Sequence, residues 1–203
     1  MRRARKHVAI PALVGCLLIA AFVAAMAARG AASGKKIAFD MIPSTPTCMP
    51  NARGHVVVEA KHGVDKMKVK VEGLPADTEF DLFVIQVPHG PFGMSWYQAD
   101  ITTNHDGKGE QQAVGIFDDE VFVVAPGSQP APLVHPADAS TNPPTAPIHT
   151  YHLGLWFDSP ADAVAAGCSG ATTPFNGDHT AGVQALSTRN FADDQGPLRQ
   201  LTP

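Results

Sequence analysis

Residues Lys66 to Glu72 alternate without a break. Met67, Val69 and Val71 fall on one side, and Lys66, Lys68, Lys70 and Glu72 on the other. Strand side chains repeat every two residues and helical ones about every 3.6, so no helix could gather this apolar set on one face. The pattern predicts an antiparallel strand with one buried face and one wet face. His55 to Lys61 reads the same way, joined to it by the turn His62-Gly63-Val64-Asp65. Glu79 to Val87 becomes apolar on both faces, as a central strand does. Met94 to Thr103 and Glu110 to Phe117 flank Asn104-His105-Asp106-Gly107-Lys108-Gly109, a hairpin signal. Shorter strands are expected at Lys36 to Met41, Val121 to Ala125, Tyr151 to Asp158 and His179 to Ser187. The expected fold is therefore all-β, an antiparallel β-sandwich of about nine strands.

One helix interrupts the pattern. Ser159 is an N-cap residue, Pro160 takes the first helical position, Asp162 puts a carboxylate in the first turn, and Gly167 supplies a stop. Ser128 to Thr150 is rich in proline and polar residues, with Asn142-Pro143-Pro144 at its centre, and reads as a long crossover loop. Phe191-Ala192-Asp193-Asp194-Gln195-Gly196 reads as an irregular tail.

The first 32 residues are of another composition. MRRARKH is basic, Val8 to Ala28 runs without a charge, and small residues follow, with Ala25-Met26-Ala27 matching a cleavage site. Residues 1–32 thus read as a secretory signal peptide or an uncleaved N-terminal membrane anchor, leaving 33–203 as one domain outside the cytoplasm. Leu13-Val14-Gly15-Cys16 imitates a lipobox, but Leu17 to Val23 continues the apolar run where a lipoprotein has a polar tether.

Of fifteen Lys and Arg, five precede residue 33, which leaves ten against nineteen Asp and Glu, a formal charge of −9. Such a surface repels nucleic acid and anionic lipid, so membrane contact is expected only through the N-terminal segment. Beyond Cys16 the chain holds only Cys48 and Cys168, which in an exported protein most simply form one disulfide.

Val71-Glu72-Gly73-Leu74-Pro75-Ala76-Asp77-Thr78-Glu79-Phe80 resembles the strand-to-strand corner of fibronectin type III and related immunoglobulin-like domains. There a leucine–proline turn and a threonine lead into an aromatic residue. Here the proline sits one place early, and Phe80 stands where that family has a tyrosine. The resemblance covers about ten residues and implies an immunoglobulin-like sandwich, with a jelly-roll-like arrangement as the alternative; it implies no activity.

The chemistry-bearing residues form no local constellation. Thr102 to Gly109 imitates the front of a calcium loop. Setting Gly107 at the sixth position, however, puts Thr102 first and Ala113 twelfth, where carboxylates are needed. His149 and His152 are three apart, so in one strand their rings point to opposite faces and share no metal. A zinc or copper site would need His149 in the preceding loop, with His89, His152 or His179 brought to it by the fold. The run Asp118-Asp119-Glu120 reads as a solvated turn, and no G-x-S-x-G motif is present. Phe92-Gly93-Met94-Ser95-Trp96-Tyr97 is the best candidate binding surface. Trp96 and Tyr97 are adjacent in a strand, so one should face the core and the other the outside. Trp156 raises the same question beside Leu153, Leu155 and Phe157.

The leading expectation is a non-enzymatic exported module, secreted or displayed on a bacterial surface, that binds a protein or a glycan. An extracellular enzyme using His89, His149, His152 or His179, and a structural envelope protein, are the alternatives. No cofactor is expected of the leading reading.

Overall fold

The computed structural model describes residues 34–61, 63–117, 121–122, 132–136, 138, 147–174 and 180–201. The signal segment with Cys16, Asp118 to Glu120, the centre of the proline-rich loop and His179 lie outside the described residues.

The strands are β1 (Lys36–Pro43), β2 (Arg53–Lys61), β3 (Val64–Glu72), β4 (Glu79–Ile85), β5 (Ser95–Thr102) and β6 (Gly109–Gly115). They continue with β7 (Val121–Phe122), β8 (Ile148–His149), β9 (His152–Phe157), β10 (Thr173–Pro174), β11 (Thr180–Ala181) and β12 (Gln184–Ser187). Helix α1 (Pro160–Ala165) follows β9, and a 3₁₀-helix spans Pro197–Leu201. Eight strands form one antiparallel sheet, in the order β5-β4-β9-β12-β1-β2-β3-β6, rolled nearly into a barrel. The all-β reading holds. Two two-stranded pieces, β7 with β8 and β10 with β11, are separate from that sheet.

The bend lies at β1. Lys36 to Met41 pair with β2, and only Ile42 and Pro43 pair with β12. One half, β1-β2-β3-β6, therefore turns toward the other, β12-β9-β4-β5. Inward residues of both halves share one core: Phe39, Met41, Val56, Val58, Met67 and Val69 meet Phe80, Leu82, Val84, Leu153, Leu155 and Phe157. The alternation of Lys66 to Glu72 appears as expected, with Met67 and Val69 fully buried and the lysines exposed. The turn before β3 is shorter than expected, because Val64 already pairs with Lys61.

The end strands β5 and β6 are connected by the expected tight turn but do not pair as the expected hairpin: β5 pairs with β4 and β6 with β3. Asn104 caps the turn: its Oδ1 accepts from the N–H groups of Asp106 and Lys108, both at 3.0 Å. Gly107 has φ +67°, and a side chain there would meet the Leu74 carbonyl oxygen at 2.1 Å, so only glycine fits. Beyond the turn no backbone ladder joins β5 to β6 among the described residues; Gln111 Nε2 donates to the Asp100 carbonyl instead, at 2.9 Å.

Ser159 caps α1 as expected, its Oγ accepting from the Asp162 N–H at 3.1 Å. The helix delivers Cys168, which is disulfide-bonded to Cys48 across 120 residues, with the Cα atoms 5.2 Å apart. Among the described residues no helix is long and apolar enough to cross a membrane.

Candidate functional site

Strand β5 carries the two aromatic residues singled out above, and both are exposed: Trp96 by 56 % and Tyr97 by 42 %. Alternation predicts one inside and one outside. Trp96 is paired with the buried, inward-facing Val84, and Tyr97 with the outward-facing Phe83. A bulge opposite Leu82 and Phe83 interrupts the alternation along β5, which ends the sheet, and both rings remain exposed. Tyr97 packs edge-on against Phe83, with ring centroids 5.8 Å apart. Burial, a hydrogen bond with Asp100, and the charges of Asp100, Asp81 and Glu79 push the Tyr97 hydroxyl up to about 12. It therefore remains a neutral hydroxyl at ordinary pH, beside several carboxylates.

Trp156 lies elsewhere. It projects from the outer face of β9 and is completely buried between Phe83 and Phe92, with ring centroids 5.5 and 5.0 Å away. A side chain on Gly154 would lie 2.2 Å from its ring, so the glycine makes room for the indole. Ile85 and Ala181 complete this second apolar cluster. The open face beside Leu153, Leu155 and Phe157 is thus covered by a second layer, and Trp156 is packing in it.

His149 and His152 do not share a strand. His149 closes β8 and His152 opens β9, and each has its own partner. His149 Nδ1 donates to Asp138 Oδ1 at 2.8 Å; the Asp138 side chain has no exposed surface. Asp138 also accepts from the backbone N–H groups of His149 (3.3 Å) and His135 (3.1 Å) and from Gln86 Nε2 (3.4 Å). The His149 ring stacks on Tyr151 at 5.1 Å, and His135 sets its ring across both. Burial pushes the His135 imidazole below its usual value, against the nearby Asp138 charge. A carboxylate on Nδ1 leaves the Nε2 lone pair of His149 as an acceptor, the tautomer an oriented base requires.

His152 and His89 converge on one residue. His152 Nε2 donates to the Asp193 carbonyl at 3.1 Å, while His89 Nε2 contacts the Asp193 carboxylate at 3.0 and 3.1 Å. Beside them is a pocket of about 370 Å³ that includes Val87, Pro132, Leu133 and Asp194. The described members of the expected metal set are thus divided, His149 on Asp138 and His89 with His152 on Asp193. Among the described residues, no three His, Cys, Asp or Glu side chains gather as a metal site.

A trough of about 710 Å³ crosses the outer face of β1, β2, β3 and β6. Its walls are cross-strand polar pairs: the His55–Asp40 hydrogen bond at 2.8 Å and the ion pairs Arg53–Glu72 at 2.6 Å and Lys70–Glu110 at 3.3 Å. Its charges largely answer each other, and none of its lining residues is Phe, Tyr or Trp.

Sequence reasoning missed Asp138, His135 and Asp193. Asp138 sits in the proline-rich crossover and Asp193 in the irregular tail, and neither has a periodic pattern to mark it. No protein-family model matches the chain, and no curated protein matches it.

Proposed function

We propose that the chain is an exported, non-enzymatic binding module that holds a protein or a glycan against the aromatic edge of β5. The carrying observation is the joint exposure of Trp96 and Tyr97 on a strand that ends the sheet. Large aromatic faces backed by a rigid layer are the side chains that stack on sugar rings or anchor protein contacts. The Phe83–Trp156–Phe92 stack behind Tyr97 provides that backing. Export is supported by the leader-like first 32 residues and by the disulfide. The acidic surroundings of Tyr97 disfavour nucleic acid as the partner. The sandwich of immunoglobulin-like modules is a finer reading of the fold, supported by the two facing half-sheets and the Val71 to Phe80 corner.

The test is a glycan array and a cross-linking pull-down from envelope extract, with wild-type protein and the Trp96→Ala/Tyr97→Ala variant side by side. Ligands captured by the wild type and lost in the variant uphold the reading. A structural envelope protein would give no soluble ligand in either assay.

The Asp138–His149 pair favours a second reading, an extracellular enzyme in which His149 Nε2 takes a proton from bound water or substrate. Turnover of a hydrolase substrate panel, abolished in His149→Ala, would put this reading first.

A further inference from the structure

The segment Thr188–Leu201 crosses the end of the barrel at which β9 begins. Leu198 and Leu201 are buried in the main core, and the Leu198 N–H donates to the Tyr151 carbonyl at 3.1 Å. Phe191 meets Phe39 edge-on at 6.3 Å. Gly196 passes so close to β9 that a side chain there would lie 2.4 Å from the Tyr151 oxygen and 2.8 Å from the His152 ring. This strap is what covers His152.

His152 is fully buried, and its hydrogen bonds suit a neutral ring. A carbonyl can only accept, so the bond to the Asp193 oxygen places the proton on Nε2. Nδ1 is then an acceptor, and the Thr188 hydroxyl donates to it at 2.9 Å. That hydroxyl oxygen in turn accepts from the Leu153 N–H at 3.1 Å. Every polar atom is matched for the neutral ring. A second proton on Nδ1 would turn the Thr188 hydroxyl onto the Leu153 carbonyl oxygen, 3.4 Å away, and would leave a positive charge in a fully buried site.

The charged groups around the ring do not remedy this. From the strap come Asp193, whose carboxylate is turned to His89 of the β4–β5 connection, and then Asp194 and Arg199. His135, Asp138 and His149 are bonded or stacked among themselves. Among the described residues none of these places a carboxylate oxygen on the His152 ring. Burial therefore outweighs the neighbouring carbonyls and Asp193, and holds the imidazole below its usual value of 6.5.

We propose that Thr188–Leu201 is an acid-released closure of the barrel, in which the proton taken up by His152 is accommodated by lifting the strap off the ring. Opening the strap hydrates the imidazolium while the strands stay paired, which makes it the cheapest route to a charged His152. The sign follows from linkage. Above pH 6.5 the ring is neutral whether the strap is closed or open, so pH has no effect. As pH falls below 6.5 the open state takes the proton first, and its population rises up to about tenfold per pH unit until the closed-state value is reached. The His89–Asp193 contact ties the strap to the β4–β5 connection without touching the His152 ring.

Hydrogen exchange read by mass spectrometry on the full chain tests this between pH 8 and pH 5, with rates corrected for intrinsic pH dependence. Strap amides should lose protection by up to about tenfold per unit below pH 6.5, while β2 and β3 amides keep theirs. His152→Gln should flatten the strap profile, and His135→Gln should leave it. A flat wild-type profile, a loss shared equally by β2 and β3, or an unchanged slope in His152→Gln would overturn the proposal. Should His152→Gln fail to fold, NMR titration of the wild-type His152 ring decides. Coincidence with the strap transition upholds the device, and titration apart from it overturns it.

Discussion

Gln111 donates its side-chain amide to the backbone carbonyl of Asp100, and at 2.9 Å this bond spans the two end strands of the sheet. A side chain thus stands where an eighth strand pairing would close the sheet. Gln111→Ala should lower stability by about 1 kcal/mol, the usual net worth of one such bond, and should speed exchange of β5 and β6 amides first. Urea unfolding with site-resolved exchange checks both.

Trp156 and Trp96 should part company under substitution. Trp156→Ala removes a fully buried indole and should cost about 3–5 kcal/mol. Trp96→Ala removes an exposed one and should stay within about 0.5 kcal/mol. Equal effects in thermal melts would mean that the covering layer over Trp156 is absent in solution.

The Cys48–Cys168 bond closes a loop of 120 residues. On the chain-entropy account its removal in a Cys48→Ala/Cys168→Ala variant should cost about 4–5 kcal/mol, less any native strain. The same loss should appear on reduction of the wild type.

Asp138 accepts four hydrogen bonds in a fully buried position. Asp138→Ala strands those donors and should cost on the order of 3 kcal/mol or more, with the largest chemical-shift changes at His135 and His149. An effect below about 0.5 kcal/mol would show that the buried pair is not formed in solution.

Acid should act in two stages. His135 and His152 lie below their ordinary value, so the stability they carry is complete above pH 6.5 and drains as pH falls below it. Glu59, Glu72 and Glu110 are lowered by hydrogen bonds and charge from Lys36, Arg53 and Lys68, so their contribution is complete above pH 4.5 and is lost below it. Glu79, raised by burial and neighbouring carboxylates, runs the other way and opposes folding once ionised. These glutamates are exposed, so the lower stage should shrink in high salt and the upper one should not.

The parts of the fold legible in the sequence are those written in local periods. Lys66 to Glu72 specifies its strand and its buried face, Asn104 to Gly109 its turn, and Ser159-Pro160 its helix start. The pairing of Cys48 with Cys168 follows from there being only two cysteines left. The closure of the strands into one bent sheet was not legible, because it depends on β1 exchanging β2 for β12 at Ile42, a long-range choice with no local mark. His149 and His152 illustrate the same limit. Their spacing shows that they cannot share a metal within one strand. Their actual partners, Asp138 and Asp193, are 11 and 41 residues away in segments without period. Trp96 and Tyr97 show another limit: alternation puts one of two neighbours inside, yet both are exposed, because the bulge opposite Leu82 and Phe83 and the place of β5 at the end of the sheet have no local mark.

The central claim is that β5 holds a ligand through Trp96 and Tyr97. The most direct measurement is the affinity of whichever glycan or protein the wild type selects, compared across wild type, Trp96→Ala/Tyr97→Ala, and an Ile42→Ala control in the trough. The account expects at least a tenfold loss in the double variant, whose melting point should match the wild type, and no change in the control. Affinity retained in the double variant, or lost only in the control, would contradict it.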